Sequence, residues 1–592
     1  MRQRRVLRAL AIPLVFAFVA ASCGSDDDSG DSGDSGDGAE ETTAPDATDG
    51  DDGDGAEETT APDTTDGDVD TSIVENTEEV VYGGEVILGL EAEANGLRPW
   101  EDGCASSCYN ISYSIYDPLM RQTAEGAFEP YLAESLESND DFTVWTMTLR
   151  PGVTFSDGTP LTAQTIADMF PIQQGGSIAG SIIATIALES VEATGELEVT
   201  YTLGVGNSAF PSYLQGQSIG LVFEPAAAAA DPEGFNSNPI GTGPFTLESR
   251  DLDNETVVVR REGYWFTTDD GNQLPYLDRI RFRPIPDEGT RLDSLTSDTI
   301  NAMTTLRGAT VRDAQAASGL NLVLFQGNSS GAGHYNTLVP PLDDVRVRRG
   351  LNQMIDQETA IEALGDAGIS TPSTQWFSPD DPFWTQEAAD TYLAFDFPSG
   401  SASVQEYVDD PARSDGKAAG DPIDVTLSCP PDPTLIAYVQ VIEQVWNGSG
   451  LVNVELTSFD QATHINNALT DQHEAHCWRF GGSSDPGSLL AGFVTDPEVS
   501  VTNYSNYNSP TMQEALTQAN LTDDFEERKA LFSQIMQEIN EQALTWYAGS
   551  TPTLIATAEN VVGVNSWELP EGSLGVGIPD AVTHWSQVFV TE

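Results

Sequence analysis

Apolar and polar residues alternate with the period of a half-buried strand in several short stretches of this chain. Trp145, Met147 and Leu149 alternate with Val144, Thr146 and Thr148, and Leu197, Val199, Tyr201 and Leu203 repeat the pattern further on. Ile423, Val425 and Leu427 predict another strand, ending at Cys429, and Val452 to Leu456 one more. Elsewhere the period lengthens to that of a helix with one apolar face. Ile166, Met169 and Phe170 show it, as do Val347, Leu351 and Ile355; Leu435, Val439, Ile442 and Val445; and Phe525, Phe532, Ile535 and Ile539. Strands and helices therefore interleave, which predicts an α/β protein.

The punctuation between these elements is equally local. Asn139-Asp140-Asp141 is turn chemistry. Asp157-Gly158 predicts a tight turn joining two strands, because glycine accepts positive φ. Thr162 and Asp343 stand where helix N-caps belong. In Asn238-Pro239-Ile240-Gly241-Thr242-Gly243-Pro244-Phe245 the alternate glycines permit close backbone approach. A phosphate cradle is not indicated there, since no lysine follows and the next residues read as strand.

Length and charge narrow the function. With 592 residues, two or more domains are expected, and 39% hydrophobic content with ten Trp is ample for their cores. The net charge of −70, from 94 acidic against 24 basic residues, argues against a nucleic-acid partner. Lys417 and Lys529 are the only lysines, which fits either a saline habitat, where screening relieves self-repulsion, or a genome that favours arginine.

The N-terminus reads as an export signal. Arg2, Arg4, Arg5 and Arg8 precede the apolar run Ala9 to Ala21, too short to span a membrane. Ala21-Ser22-Cys23 resembles the bacterial lipobox, with Ala20 where leucine is usual, and implies that Cys23 is lipidated after removal of the signal. From Gly24 to Val80 there are 22 acidic residues, no Lys or Arg, and the repeat GAEETTAPD at Gly38 and Gly55. This composition predicts a disordered tether, about 57 residues spanning about 40 Å. With Cys23 set aside, Cys104, Cys108, Cys429 and Cys477 remain, an even number that suggests two disulfides in an exported chain; Cys104–Cys108 and Cys429–Cys477 are the natural pairs.

A longer pattern binds these readings together. Leu132-Ala133-Glu134-Ser135, Leu149-Arg150 and Asp157-Gly158-Thr159-Pro160-Leu161-Thr162-Ala163 follow in order the signature of the peptide/nickel class of bacterial extracellular solute-binding proteins, family 5. Ile115-Tyr116-Asp117-Pro118-Leu119, the Gly241-Thr242-Gly243 segment, Gly263-Tyr264-Trp265 and the run from His334-Tyr335-Asn336-Thr337 to Arg348 continue the resemblance through residues 82–592. It implies a two-lobed periplasmic-binding-protein-like fold, type II with an extra domain, hinged between lobes. The implied division is a signal at 1–23, a linker at 24–80, and an N-terminal lobe at 82–335 with an inserted subdomain at about 116–237. A C-terminal lobe at 336–555 and a return to the first lobe at 556–592 complete it.

The resemblance also implies a function: a monomeric, lipid-anchored receptor outside the cell membrane that delivers a small solute, a peptide first of all, to an ABC permease and its ATPase. It implies no cofactor, no resident metal and no catalysis. Trp100, Tyr109, Trp376 and Tyr504 are expected in loops ringing a cleft, with Tyr335 and Asn336 at the crossing between lobes. Trp478, Arg479, Phe480 and Asp485 fall in the strand-to-loop segment that faces the cleft in relatives. Where peptide-binding members place an aspartate to hold the ammonium, this chain has Gly482, and Arg479 would favour an anionic group instead. Packing within the lobe is the competing role for Trp478 and Arg479. Other readings stay open: a metal chelate held near His473, His476 and Cys477, a sugar or opine-like acid as solute, a sensor without a permease, or an exported hydrolase using Ser329 of Gly327-Asn328-Ser329-Ser330-Gly331.

Overall fold

The strand Val144–Leu149 lies inside a four-stranded sheet ordered Ala133–Ser138, Val144–Leu149, Glu198–Leu203, Leu188–Ala193. Trp145, Met147 and Leu149 point into the core, and Trp145 pairs with Tyr201 and Met147 with Val199. The Asn139 carboxamide oxygen accepts from the N–H groups of Thr143 and Val144, both at 3.0 Å, and so closes the turn before the strand. These details come from a computed structural model. It describes residues 78–592 except 217, 326–329, 432 and 481–484, and, for side chains, also except 330–332, 433–434, 461–462 and 479–480. Cys23, the linker up to residue 77, Ser329 and Gly482 lie outside the described residues.

Around Asp157-Gly158 the turn forms, with Gly158 at φ +90° and the Asp157 carboxylate accepting from the Thr159 N–H at 2.9 Å. The second strand expected after it does not extend: only a single bridge links Thr154 to Pro160, because Pro160 removes a donor. Thr162 then caps the helix Ala163–Gly175 in a reciprocal box with Thr165. We expect Thr162→Ala to cost about 1 kcal/mol of stability, read as a lowered urea midpoint at unchanged slope.

A seven-stranded mixed sheet is ordered Leu320–Phe325, Thr553–Ala558, Ala302–Thr305, Glu85–Leu90, Arg279–Pro284, Glu255–Arg260, Phe245–Asp251. Glu85–Leu90 runs parallel to both neighbours, and the late strand Thr553–Ala558 inserts antiparallel between two earlier ones. A five-stranded sheet takes the intervening chain: Val452–Ser458, Ile423–Cys429, Ala475–Phe480, Ser330–Tyr335, Thr545–Ser550. Separate apolar clusters lie against the two sheets, one around Val86, Leu88 and Ile280, another around Val425, Leu427 and Trp446.

Two local expectations need correction. The helix Val345–Gln353 is capped by Asp344, whose side chain accepts from the Arg346 N–H, whereas Asp343 accepts from Ser414. In the helix Phe525–Glu541, Phe532, Ile535 and Ile539 are buried but Phe525, in its first turn, is exposed. Cys104 is bonded to Cys108, and Cys429 to Cys477 across adjacent parallel strands. No helix among the described residues is long and apolar enough to cross a membrane.

Candidate functional site

The glycine pair fixes the end of a helix that walls a cavity. A Cβ on Gly241 would sit 2.2 Å from the Ile115 carbonyl oxygen, and the Gly243 N–H donates to that oxygen at 2.9 Å. The end of the helix Ser106–Ile115 is thereby held against the 241–243 backbone, and the chain continues into the short buried strand Met120–Gln122. The C-terminal segment closes over the same helix. Ser106 donates to the Asp580 carbonyl at 2.7 Å, Asn110 to the Ala581 carbonyl at 3.1 Å, and the Trp585 indole to the Asn110 side chain at 2.8 Å.

Between these pieces lies a cavity of about 190 Å³, whose walls include Tyr109, Tyr113, Arg121, Trp567, Asp580 and His584. Tyr109 and Tyr113 stand one helical turn apart with ring centroids 5.6 Å from each other. Burial, with the Asp580 charge adding, pushes both phenols above their ordinary value. His584 is held well below its usual value by burial and by the Arg121 charge; its ring nitrogens meet Ser586 Oγ at 2.6 Å and Tyr131 Oη at 3.0 Å.

Arg121 is the unusual group. It is 7% exposed, and its guanidinium lies 4.2 Å from the ring centre of Tyr113, 5.5 Å from Tyr131 and 5.8 Å from Trp567. Its Nε and Nη2 are buried without a hydrogen-bond partner, and among the described residues it forms no ion pair. By contrast Arg261, also at the domain interior, is spent on the carbonyls of Thr242, Thr154 and Phe155.

A second constellation forms on the five-stranded sheet. His334 and His476 face each other in register across Ser330–Tyr335 and Ala475–Phe480, and His464 and His473 pack beside them. Four of the chain's five histidines thus meet, amid Trp376, Trp478, Phe493 and Tyr504. His464 Nε2 lies 3.0 Å from the Cys477 carbonyl and His473 Nε2 2.9 Å from that of Tyr504. A carbonyl only accepts, so each of these rings carries its hydrogen on Nε2. His476 has no hydrogen-bond partner on either nitrogen. Burial pushes His334 down to about 3 and His476 well below the ordinary value, each helped by neighbouring imidazoles. Among the described residues no three His, Cys, Asp or Glu side chains are arranged to hold a metal, and the Cys477 sulfur is taken by Cys429.

The residues singled out from the sequence therefore separate. Tyr109 lines the cavity, from a helix and not from a loop as expected. Trp376, Trp478 and Tyr504 join the histidine cluster. Trp100 packs on Phe223 and Phe235 in the core. Tyr335 is fully buried and donates to Asn352 at 2.9 Å, while Asn336 binds the His473 carbonyl at 3.0 Å. Asp485 is paired with Arg528, Nη1 to Oδ2 at 2.7 Å, and caps the helix Pro486–Val494. Arg479 and Phe480 lie in the strand Ala475–Phe480, their side chains outside the described residues.

Sequence reasoning missed Arg121, Tyr113, Trp567 and His584. No local signal marks them: Arg121 stands between Leu119-Met120 and Gln122-Thr123, an ordinary polar position by sequence, and its burial comes from distant partners.

Known proteins bear on this arrangement. The family model described as bacterial extracellular solute-binding proteins, family 5 Middle, matches residues 127–500. The dipeptide-binding protein of Escherichia coli (strain K12) is 25% identical over 331 residues, 53% of this chain and 56% of that protein. The nickel-binding periplasmic protein of the same strain is 27% identical over 310 residues, 51% of this chain and 54% of that protein. The match thus spans only a little over half the length of these two relatives. Among solved structures, the PBP AgaA from A.tumefacien R10, in complex with agropinic acid, superposes with a TM-score of 0.74 at 20% identity, covering 86% of this chain and 99% of that one. The α/β fold is therefore that of a periplasmic binding protein, and the chain belongs to the family 5 bacterial extracellular solute-binding proteins.

Proposed function

We propose that this protein is the solute-capturing receptor of an ABC importer and that its solutes are peptide-like. The observation that carries this is a cavity walled by aromatic rings and one cation, built where the C-terminal segment returns onto an early helix, in a chain of a solute-binding family. Proteins of this family are non-catalytic, so the hydrolase role for Ser329 is dropped. Capture would work by lobe closure, one lobe formed around the seven-stranded sheet with the four-stranded sheet inserted, the other around the five-stranded sheet. The chain would cross between them before Ser330 and again after Ser550, so Tyr335 and Asn336 would lie inside the second lobe and not at the crossing expected from the sequence. Lipidation at Cys23 with an acidic tether would hold the receptor near its permease at raised effective concentration. An opine-like acid is the second reading, favoured by the unpaired guanidinium of Arg121.

The test of capture by closure is small-angle scattering of the full chain with and without a saturating mixture of dipeptides. A smaller radius of gyration with the mixture is expected. An unchanged radius at demonstrated saturation would remove lobe closure from the account.

A further inference from the structure

The segment that leaves the four-stranded sheet touches helices packed beside the five-stranded one. After the strand Glu198–Leu203 the chain passes Ser208 and enters the short helix Phe210–Tyr213. The Ser208 N–H donates to the Asn520 carbonyl at 2.7 Å, and its hydroxyl donates to the Thr522 carbonyl at 2.8 Å. Asn520 ends the helix Pro510–Asn520, where the last carbonyls have no donor of their own, so Ser208 supplies one. The Tyr213 hydroxyl donates to the Gly487 carbonyl at 3.4 Å, in the first turn of the helix Pro486–Val494. Its ring packs both on the cluster around Val86 and Leu88 and on the one formed by Leu490, Met512 and Phe532. The approach is close: a Cβ on Gly487 would lie 2.9 Å from that of Ala209.

This contact is polar and small, which suits a joint that opens and closes. Three hydrogen bonds, each worth roughly 3–10-fold in an equilibrium constant, bias a two-state motion without fusing its halves. No chain crossing adjoins Ser208, Gly487 or Asn520 in sequence, so hinge rotation can part them. Asp366 and Ser370, by contrast, bond to Ala309 and Thr551 beside the crossing at Ser550. The same short helix also faces the cavity. Ser212, next to Tyr213, is on its wall, as are Gln215 and Gly216.

We propose that Ser208 and Tyr213 form a latch. They hold Gly487, Asn520 and Thr522 of the second lobe against the inserted subdomain, and so set the closed fraction of the receptor. The inference rests on the receptor reading and names positioning residues for capture, which act on affinity through closure and not by touching solute. Apparent affinity scales with the closed fraction, so a weakened latch lowers it by one factor for every solute.

Hydrogen exchange read by mass spectrometry on the full chain, wild type against Ser208→Asp, tests the latch with no solute present. The new carboxylate meets the Thr522 carbonyl, which only accepts, and repels it. The amide at 208 is expected to exchange at least about 10-fold faster in the variant, while Val144–Leu149 and Ile423–Cys429 stay unchanged. Unchanged exchange at 208 would overturn the inference. If the variant fails to fold, Ser208→Ala and Tyr213→Phe, which each remove one hydroxyl, replace it with an expected increase of about 3-fold. Calorimetric titration with Ala-Ala, Ala-Phe and Phe-Ala then reads affinity. Ser208→Ala should weaken all three by the same factor, about 3–10-fold. A loss that differs among the dipeptides would place Ser208 against solute, and no loss would remove its part in capture; either overturns the inference. Should the wild-type chain bind none of the three, the peptide reading fails, and the exchange result alone decides the latch.

Discussion

Between pH 6.5 and pH 5 the protein is expected to lose folding stability, about 1–2 kcal/mol of it through His334 alone, because buried imidazoles refuse protons that the unfolded chain accepts. An unfolded histidine protonates below about 6.5, whereas His334 does so only near 3 and His476 well below 6.5. In that window the unfolded state binds more protons, so stability is full above 6.5 and falls as pH falls towards the folded values. The slope rises to about 1.4 kcal/mol per pH unit as the unfolded imidazole becomes fully protonated, so the half-protonated start at 6.5 leaves about 1–2 kcal/mol for His334 over the window, and His476 and His584 add in the same direction. The facing groups shape the curve. His464 and His473 are also lowered by burial, which steepens it, while the Asp471 charge favours protonated His473 and softens it. Urea unfolding at pH 7, 6 and 5 reads the effect, and His476→Leu should flatten it in part. A pH-independent midpoint in the wild-type chain would contradict the packing of the cluster.

Gly333→Val should destabilise the protein by more than about 3 kcal/mol, beyond the usual penalty for overpacking. Gly333 sits in the strand that carries His334 and pairs with Trp546, whose ring folds back over it; an added Cβ would lie 1.8 Å from Trp546 Cζ2. Trp546 has no room to retreat, being fully buried between Tyr335 and Trp446 at centroid distances of 5.1 and 6.3 Å. Trp546→Ala alone should cost about 3–5 kcal/mol through the cavity it leaves. The pair Gly333→Ala with Trp546→Leu should cost less than the sum of its parts, since the two residues share one space. Strict additivity in denaturant unfolding would show that the ring does not cover the glycine.

What was readable in the sequence follows the range of the interactions involved. The strand Val144–Leu149 and the cap at Thr162 depend on residues within a few positions, and period and cap chemistry are enough for them. The close approach at Gly241 and Gly243 was readable as a need, but not its partner, Ile115, more than a hundred residues earlier. The cavity joins Tyr109 and Arg121 to Trp567 and His584 at the far end of the chain, a contact that no local pattern encodes. Asp485 seemed free for a ligand because its partner Arg528 lies on a later helix. The histidine cluster gathers side chains from Ser330–Tyr335, Gln461–Leu469 and Ala475–Phe480, so adjacency in sequence suggested only His473 and His476.

The central claim is capture without chemistry, and native mass spectrometry of the full chain, isolated gently from its host and then denatured, tests it most directly. One solute bound per chain is expected, released with its covalent structure intact when re-added and recovered. A chain that consumes the re-added solute, or one that carries none and takes up none, would contradict it.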